Sequence, residues 1–184
     1  QLLEGGHYRY DIVTPGGVVE GCTLGIPGWV NIENSVAAAA SIWCAAQAEG
    51  TTPDAERLRE ALASFAGVKR RFEFYVNTPK QVYMDDYAHH PRELEATLTT
   101  AMGMGFNRVW AVFQPFTYSR TAMLFDDFCR VLSIPDKTVL TEIMGSRERN
   151  TYNIYSSQLA EKIPGCVWFS TFCLLYTSPS PRDT

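Results

Sequence analysis

The alternation of apolar and polar positions in the first third of the chain predicts a hairpin and two helices. Residues 7–24 form two runs of period two around a Pro-Gly-Gly turn, which is typical of a β-hairpin. An alanine-rich stretch follows and predicts a helix with Asn31 as its N-cap. A second helix places Leu58 and Leu62 on one face and stops at Gly67. Because two strands alone are marginally stable in water, the hairpin needs further packing partners.

From residue 72 onward, predicted strands alternate with predicted helices. The apolar patterns predict strands over 72–76, 81–85, 108–113, 138–143 and 166–169. Helices are expected to begin at Pro91 and to run from about Ser119 to Leu132, and Ser156 is interpreted as the cap of a third helix. The near-continuous apolar run 108–113 indicates a strand covered on both faces. Repeated strand-helix units favour an α/β fold with a Rossmann-like, mostly parallel sheet and right-handed crossovers.

Polar loops follow three of these predicted strands, over residues 85–90, 114–120 and 144–149. The carboxyl ends of parallel strands share one sheet edge, so four side chains from these loops are expected to converge on one ligand. They are Asp86, His89, Arg120 and Arg147. An arginine at a helix start suits an anionic group, and a charge-assisted hydrogen bond there contributes about 1.5–3 kcal/mol. The structural alternative is that the aspartates only solvate a strand end and the histidines only cap a helix.

The composition indicates an ordinary globular protein. The 184 residues are 46% hydrophobic and 20% charged, with a formal net charge of -4. The chain has no basic pattern suited to a nucleic-acid backbone and no apolar run of membrane-spanning length. Five cysteines without a Cys-x-x-Cys motif are typical of reduced residues in a cytoplasmic protein. We therefore expect no nucleic-acid partner, no membrane partner, and no metal site at the adjacent histidines.

Four ordered blocks of sequence resemble the Mur ligase family. The blocks are Ile26-Pro27-Gly28 with Asn31 and Asn34, Gly67-Val68-Lys69-Arg70-Arg71-Phe72-Glu73, Asp85-Asp86-Tyr87-Ala88-His89-His90-Pro91, and Phe113-Gln114-Pro115 with Tyr118-Ser119-Arg120-Thr121. The resemblance covers about residues 1–172 and is greatest to the branch that joins L-alanine to UDP-N-acetylmuramate. It implies a cytoplasmic, ATP-dependent ligase of peptidoglycan biosynthesis that uses Mg²⁺.

The resemblance also implies a mechanism and a set of site residues. In the family, the muramyl carboxylate takes the γ-phosphoryl group of ATP, and the amine of L-alanine then displaces phosphate from the acyl phosphate. Two asparagines lie beside the nucleotide base, an arginine reaches the ATP, and an aspartate binds the ribose. The matching residues are Asn31, Asn34, Arg71 and Asp86. His89 and Arg120 match positions that face the muramyl and amino-acid end of the cleft.

Three positions depart from the family pattern. Val30 stands where the asparagine block usually has histidine, which weakens the assignment of that block to the base. Phe116 and Thr117 stand where histidine and arginine are common. These last two departures remove a possible second cation, so more of the anion binding is expected to depend on Arg120.

The resemblance implies three segments. Residues 1–66 correspond to the C-terminal part of an ATP-binding central domain, and residues 67–172 to an incomplete C-terminal ligase domain. The Ser/Pro-rich residues 173–184 lack a helical or strand period and are expected to be a non-native or disordered tail. No Gly-x-x-x-x-Gly-Lys-Ser/Thr phosphate loop occurs, so the Mg²⁺ ligands are expected mainly outside this chain, which alone is expected to be inactive.

Two other functions stay open from the sequence. A sister ligase that attaches recycled murein peptide to the same sugar nucleotide carries a similar set of blocks. A non-catalytic α/β nucleotide-binding module is the second alternative, because an incomplete domain could bind without reacting. A phosphate loop in upstream coding sequence would exclude the module.

Overall fold

The computed structural model describes residues 1–177, which divide into two compact units. The first unit comprises residues 1–87 and 99–106, and the second comprises residues 88–98 and the chain from residue 107 onward. Each unit has a hydrophobic core of its own. None of the helices in the described part of the chain combines the length and the apolar character that a membrane span requires.

The first unit opens with a short 3-10 helix, Glu4–Gly6, and the predicted hairpin. Strands β1 (Arg9–Thr14) and β2 (Gly17–Thr23) pair antiparallel across the predicted turn, which confirms the hairpin. Its packing partners are helices α1 (Trp29–Ala48) and α2 (Ala55–Ser64). The residues of this core are Ile12, Val19, Cys22, Leu24, Ala39, Leu58 and Leu62. Burial of one face of each element therefore stabilises a hairpin that is too small to be stable alone.

Helix α1 begins two residues before the predicted cap. Its N-cap is Gly28, which adopts a left-handed φ of 100°. A Cβ at this position would lie 3.0 Å from the Thr100 hydroxyl oxygen, so glycine suits both the conformation and the space. Asn31 lies inside the first turn, and its side-chain amide donates a hydrogen bond to the Pro27 carbonyl at 2.6 Å. The prediction of Asn31 as the N-cap is therefore wrong.

Helix α2 begins after Asp54, which is its N-cap. The Asp54 carboxylate accepts hydrogen bonds from the backbone N-H groups of Glu56 and Arg57, at 2.8 and 3.2 Å. These bonds satisfy two of the backbone donors that a helix start leaves without partners. Leu58 and Leu62 are buried, as predicted for the inner face of this helix.

Strands β3 (Glu73–Asn77) and β4 (Val82–Asp85) form an antiparallel pair in a separate two-stranded sheet. The expectation that β4 belongs to the parallel sheet is therefore wrong. Four residues, 78–81, connect the two strands. A parallel crossover needs about a dozen residues, whereas a tight connection joins antiparallel neighbours.

The second unit contains a three-stranded parallel sheet in the order β5-β6-β7, which confirms the predicted α/β class. Its strands are β5 (Trp110–Phe113), β6 (Lys137–Thr141) and β7 (Val167–Phe169). The remaining helices are α3 (Pro91–Met102), which is divided between the two units, α4 (Tyr118–Met123), α5 (Phe125–Val131), α6 (Ser156–Lys162) and α7 (Phe172–Thr177). The core of this unit is built from residues such as Leu94, Phe113, Phe128, Leu140 and Leu159.

Four details of the second unit differ from the prediction. Trp110 and Val112 are 45% and 61% exposed, so β5 is not covered on both faces. The single helix predicted from about Ser119 is divided at Leu124, whose φ and ψ of -115° and 26° are not helical. The N-cap of α6 is Tyr155, while Ser156 is buried in its first turn. Helix α7 covers residues 173–177 of the predicted tail, and the rest of that tail, residues 178–184, falls outside the described residues.

Candidate functional site

The loop after β4 is held against the turn that precedes β3, within the first unit. The Asp86 carboxylate accepts a hydrogen bond from the Phe72 N-H at 3.0 Å, and the Tyr87 N-H donates to the Arg70 carbonyl at 2.8 Å. The Arg70 guanidinium lies 4.7 Å from the centroid of the Tyr87 ring, and its Nε is 3.5 Å from Asp85. These contacts fix the backbone around Asp86 beside the basic run.

The basic run, Lys69-Arg70-Arg71, contains two arginines whose side chains have different surroundings. Arg70 contacts Tyr87 and Asp85, as described above. Arg71 donates its backbone N-H to the Val68 carbonyl at 3.0 Å, and its side chain is exposed. Its guanidinium has no carboxylate at ion-pair distance in the part of the chain that the structure describes. Arg71, the arginine that the family resemblance assigns to ATP, has the exposed side chain, whereas Arg70 connects the two loops.

Asn31 and Asn34 lie on the first turns of α1, also in the first unit. Three residues apart on a helix, they face the same side. Asn31 is half-buried and uses its amide N-H to bond the Pro27 carbonyl, which leaves its side-chain oxygen as the group with acceptor capacity. Asn34 is exposed. Their assignment to a nucleotide base stays a prediction.

The paired histidines lie at the start of α3, where Glu93 holds them. The backbone N-H groups of His89 and His90 donate to one Glu93 carboxylate oxygen, at 3.0 and 3.2 Å. The Nδ1 atom of His89 is 3.5 Å from the same oxygen. Helix α3 begins at Pro91, as predicted. Glu93 was not identified from the sequence, although a glutamate shortly after a helix start is a recognised capping signal.

Arg120 lies in the first turn of α4, at the carboxyl end of β5. It is half-buried, and one guanidinium N-H donates to the Phe116 carbonyl at 2.8 Å. The guanidinium carbon is 6.0 Å from the centroid of the Phe116 ring. No carboxylate lies at ion-pair distance from Arg120 among residues 1–177. The positive charge is therefore held in place by neutral groups and is not neutralised by them.

The loop after β6 is fastened to the loop after β5 by both backbone and side chains. The Met144 N-H donates to the Pro115 carbonyl at 2.9 Å, and the Gln114 amide donates to the Glu142 carbonyl at 3.0 Å. A Cβ on Gly145 would collide with the ring of Tyr118, so only glycine permits this close approach. The carboxyl ends of two neighbouring parallel strands thus form one connected cluster.

Glu148 completes this cluster. Its carboxylate accepts hydrogen bonds from the Thr117 hydroxyl at 2.9 Å, from the Ser119 hydroxyl at 2.6 Å and from the Ser119 N-H at 2.9 Å. The Ser119 hydroxyl, followed by the Ser119 N-H, holds the pKa of the Glu148 carboxyl below its ordinary value. Glu148 lies in a predicted loop but was not itself predicted, because no local pattern connects positions that lie 29 residues apart.

The structure groups the predicted site residues differently from the sequence analysis. Arg120 and Arg147 follow adjacent strands of the parallel sheet, as predicted, and the Arg147 side chain is exposed. Asp86 does not lie at this sheet edge, because β4 pairs with β3 in another sheet. His89 belongs to the second unit and Asp86 to the first. A common edge of one sheet for all four residues is therefore wrong, while their roles stay predictions.

No group of three or more His, Cys, Asp or Glu side chains that could hold a metal ion occurs among the described residues. In the second unit, Arg120 has no carboxylate at ion-pair distance among residues 1–177, and it follows Ser119, whose hydroxyl and N-H donate to Glu148. In the first unit, Arg71 has none among the same residues, and it lies between Arg70 and Phe72, which contact the loop of Asp86. Both arrangements suit anionic ligands, because a guanidinium forms paired hydrogen bonds with carboxylate and phosphate oxygens.

Comparison with known protein families gives a match over more than half of the chain. The family described as "Mur ligase, glutamate ligase domain" matches residues 70–172. These bounds include the β3-β4 pair and the three-stranded parallel sheet.

Curated relatives match a still longer part of the chain. The UDP-N-acetylmuramate--L-alanine ligase of Lachnospira eligens is 41% identical over 171 residues, which are 91% of this chain and 36% of that protein. The protein of the same name from Acetivibrio thermocellus is 38% identical over 160 residues, which are 87% of this chain and 33% of that protein. The chain thus spans about a third of the length of these relatives.

A solved structure shares the fold. The crystal structure of a UDP-N-acetylmuramate-alanine ligase from Thermotoga maritima aligns with a TM-score of 0.75 and 22% sequence identity, over 97% of this chain and 38% of that one. The order of strands and helices described above is therefore a known arrangement.

Proposed function

The chain belongs to the Mur ligase family, and from that membership we propose that it forms part of an ATP-dependent ligase that joins L-alanine to UDP-N-acetylmuramate. Such an enzyme acts in peptidoglycan biosynthesis. The names of the relatives at about 40% identity support this substrate pair. Because the chain spans about a third of their length, the activity is that of the whole ligase. A cytoplasmic location is part of the proposal, and the five free cysteines are consistent with it.

The observation that carries the proposal is that Arg120, at the carboxyl edge of the parallel sheet, has no ion-pair partner among the described residues. A half-buried guanidinium held by a carbonyl and an aromatic ring binds an incoming anion more strongly than one already neutralised by a carboxylate. Ligation of L-alanine to a muramyl carboxylate requires such binding, since both substrates carry a carboxylate. We assign Arg120 and His89 to the muramyl and amino-acid end of the site.

ATP fits the arrangement in the first unit. Arg71 is exposed and has no ion-pair partner within residues 1–177, so it suits a phosphate group. Asp86, held by the Phe72 N-H, suits a ribose hydroxyl as an acceptor. The side-chain oxygen of Asn31, together with Asn34, suits the hydrogen-bonding edge of a base. When bound, ATP would supply the phosphoryl group that activates the carboxylate. Mg²⁺ is expected with ATP, but no residue of this chain is proposed as its ligand.

The proposal is tested with the intact protein encoded by the complete gene. Phosphate release should require ATP, UDP-N-acetylmuramate and L-alanine together, and each omission should abolish it. Replacement of L-alanine by murein peptide tests the sister ligase. A preference for the peptide, or phosphate release that no amino acid stimulates, would overturn the proposal.

An arginine variant links the assay to the structure. Arg120→Ala should reduce kcat/KM about 10- to 100-fold, because a charge-assisted hydrogen bond to the substrate is lost. Arg92→Ala is the matched control, since Arg92 is an exposed arginine of α3 in the same unit. Equal effects of the two substitutions would contradict the role of Arg120.

A further inference from the structure

We propose that Glu148 is the positioning residue for Arg120. Its carboxylate holds the segment that carries the guanidinium and leaves the positive charge available for a substrate anion. The inference rests on the proposed function, because it names a further residue for the same reaction. It concerns a side chain that neither the sequence pattern nor the comparisons single out.

The hydrogen bonds of Glu148 account for both of its carboxylate oxygens. One oxygen accepts from the hydroxyl groups of Thr117 and Ser119, and the other accepts from the Ser119 N-H. All three donors are neutral. The Glu148 charge is therefore stabilised by dipoles of the α4 start and does not form an ion pair with Arg120.

The segment that Glu148 holds is the one that sets the Arg120 side chain. Arg120 directly follows Ser119, and its guanidinium returns to the Phe116 carbonyl at 2.8 Å. The Thr121 hydroxyl donates to the Thr117 carbonyl at 2.7 Å, which closes the same turn from the other side. Because these bonds close the segment on itself, we expect a displacement of Thr117 and Ser119 to displace the guanidinium as well.

Glu148 could instead bind the ammonium group of the amino acid directly. The three hydrogen bonds argue against that role, because they use most of the acceptor capacity of the carboxylate in the plane of its oxygens. A direct ligand would also act independently of Arg120. The two roles therefore predict different coupling between substitutions at positions 148 and 120.

A double-mutant cycle in the intact ligase separates these roles. Glu148→Ala should lower kcat/KM about 10-fold or more, since a misplacement of about 1 Å can cost up to about 100-fold. In an Arg120→Ala background the same substitution should change kcat/KM by less than about two-fold, because its effect passes through Arg120. Additive losses would overturn the proposal and favour direct binding.

Two further variants complete the kinetic test. Glu148→Gln keeps an oxygen that can accept the Ser119 N-H, so it should lose less activity than Glu148→Ala. Glu161→Ala removes an exposed carboxylate from α6 of the same unit and should leave kcat/KM unchanged. If Glu148→Gln lowers kcat/KM as much as Glu148→Ala does, and if its effect adds to that of Arg120→Ala, only the charge of residue 148 matters. That result would overturn the positioning role.

Nuclear magnetic resonance of the 184-residue chain tests the positioning without any catalysis. In ¹⁵N-labelled protein, Glu148→Ala should shift the Ser119 amide signal and shift or broaden the Arg120 Nε-H signal, and Glu161→Ala should move neither. An unchanged Arg120 signal would overturn the positioning role. If the signals change as expected but the intact protein does not join L-alanine to UDP-N-acetylmuramate, the proposed function fails and the positioning role stands.

Discussion

Glu148 and Arg120 carry opposite charges in one loop cluster and do not pair. Each is satisfied by neutral groups of the same short segment, the glutamate by Thr117 and Ser119 and the arginine by the Phe116 carbonyl. The sequence could supply Arg120, because it stands in a recognisable block next to a helix start. It could not supply Glu148, because a contact across 29 residues depends on the register of two adjacent strands. At Asn31 the local sequence was misleading: asparagine is a good capping residue, but the N-cap of α1 is Gly28, which has a left-handed φ.

The Glu148 contacts predict a pH-dependent stability. Hydrogen bonds from Ser119 lower the pKa of the folded carboxyl below that of the unfolded chain. The stabilisation is therefore complete above the ordinary pKa of a glutamate, about 4.3, and is lost as the pH falls through the lower pKa of the folded carboxyl. Urea unfolding should show wild type more stable than Glu148→Gln at pH 7, with the difference shrinking toward pH 3. A difference that grows on acidification would contradict this assignment.

At the scale of elements, the apolar periodicity located every strand of the described chain to within a few residues. It did not predict which strands pair, because the length of the connection decides the pairing. The four-residue link 78–81 makes β4 an antiparallel partner of β3, and this could have been foreseen from its length alone. The break of the predicted long helix at Leu124 has no proline or glycine to announce it.

Helix α2 depends on its cap. Asp54→Ala removes the acceptor for the Glu56 and Arg57 N-H groups and should lower the free energy of unfolding by about 1 kcal/mol. Asp54→Asn keeps a side-chain oxygen and serves as the control, with a loss of only a few tenths of that value. Chemical denaturation of the three proteins would measure the difference, and an equal loss for both variants would indicate that charge, and not capping, matters.

Helix α5 is fixed to the parallel sheet by one aromatic side chain. Phe128 is fully buried, and its ring centroid lies 5.9 Å from that of Phe113 on β5. Phe128→Ala should lower the free energy of unfolding by about 3–5 kcal/mol, because it removes apolar contacts and leaves a cavity. Met123→Ala, at a side chain that is 73% exposed, is the control and should have little effect. Thermal unfolding monitored by circular dichroism would detect the contrast.

At the scale of the whole molecule, the alternation of strands and helices was enough to predict the α/β class and its parallel sheet. The division into two compact units could not be read from periodicity, because the boundary passes through α3 and returns to the first unit for residues 99–106. Contacts distant in sequence determine that division. The grouping of the six predicted site residues could not be predicted from the sequence for the same reason, since they are distributed over both units.

The 184-residue chain by itself is expected to have no ligase activity. It spans about a third of the length of its relatives and contains no Gly-x-x-x-x-Gly-Lys-Ser/Thr phosphate loop. Incubation with ATP, UDP-N-acetylmuramate and L-alanine should therefore release no phosphate above a protein-free blank. Substrate-dependent release by the purified 184-residue chain would contradict the expectation.

The position of β5 at the edge of the parallel sheet affects how the protein is expected to behave at high concentration. It pairs with β6 alone among the described strands and presents Trp110 and Val112 to solvent. An open strand with apolar side chains is a template on which another chain can extend the sheet. We therefore expect concentrated samples to aggregate through this edge strand, and Val112→Lys to reduce that aggregation during crystallisation or spectroscopy.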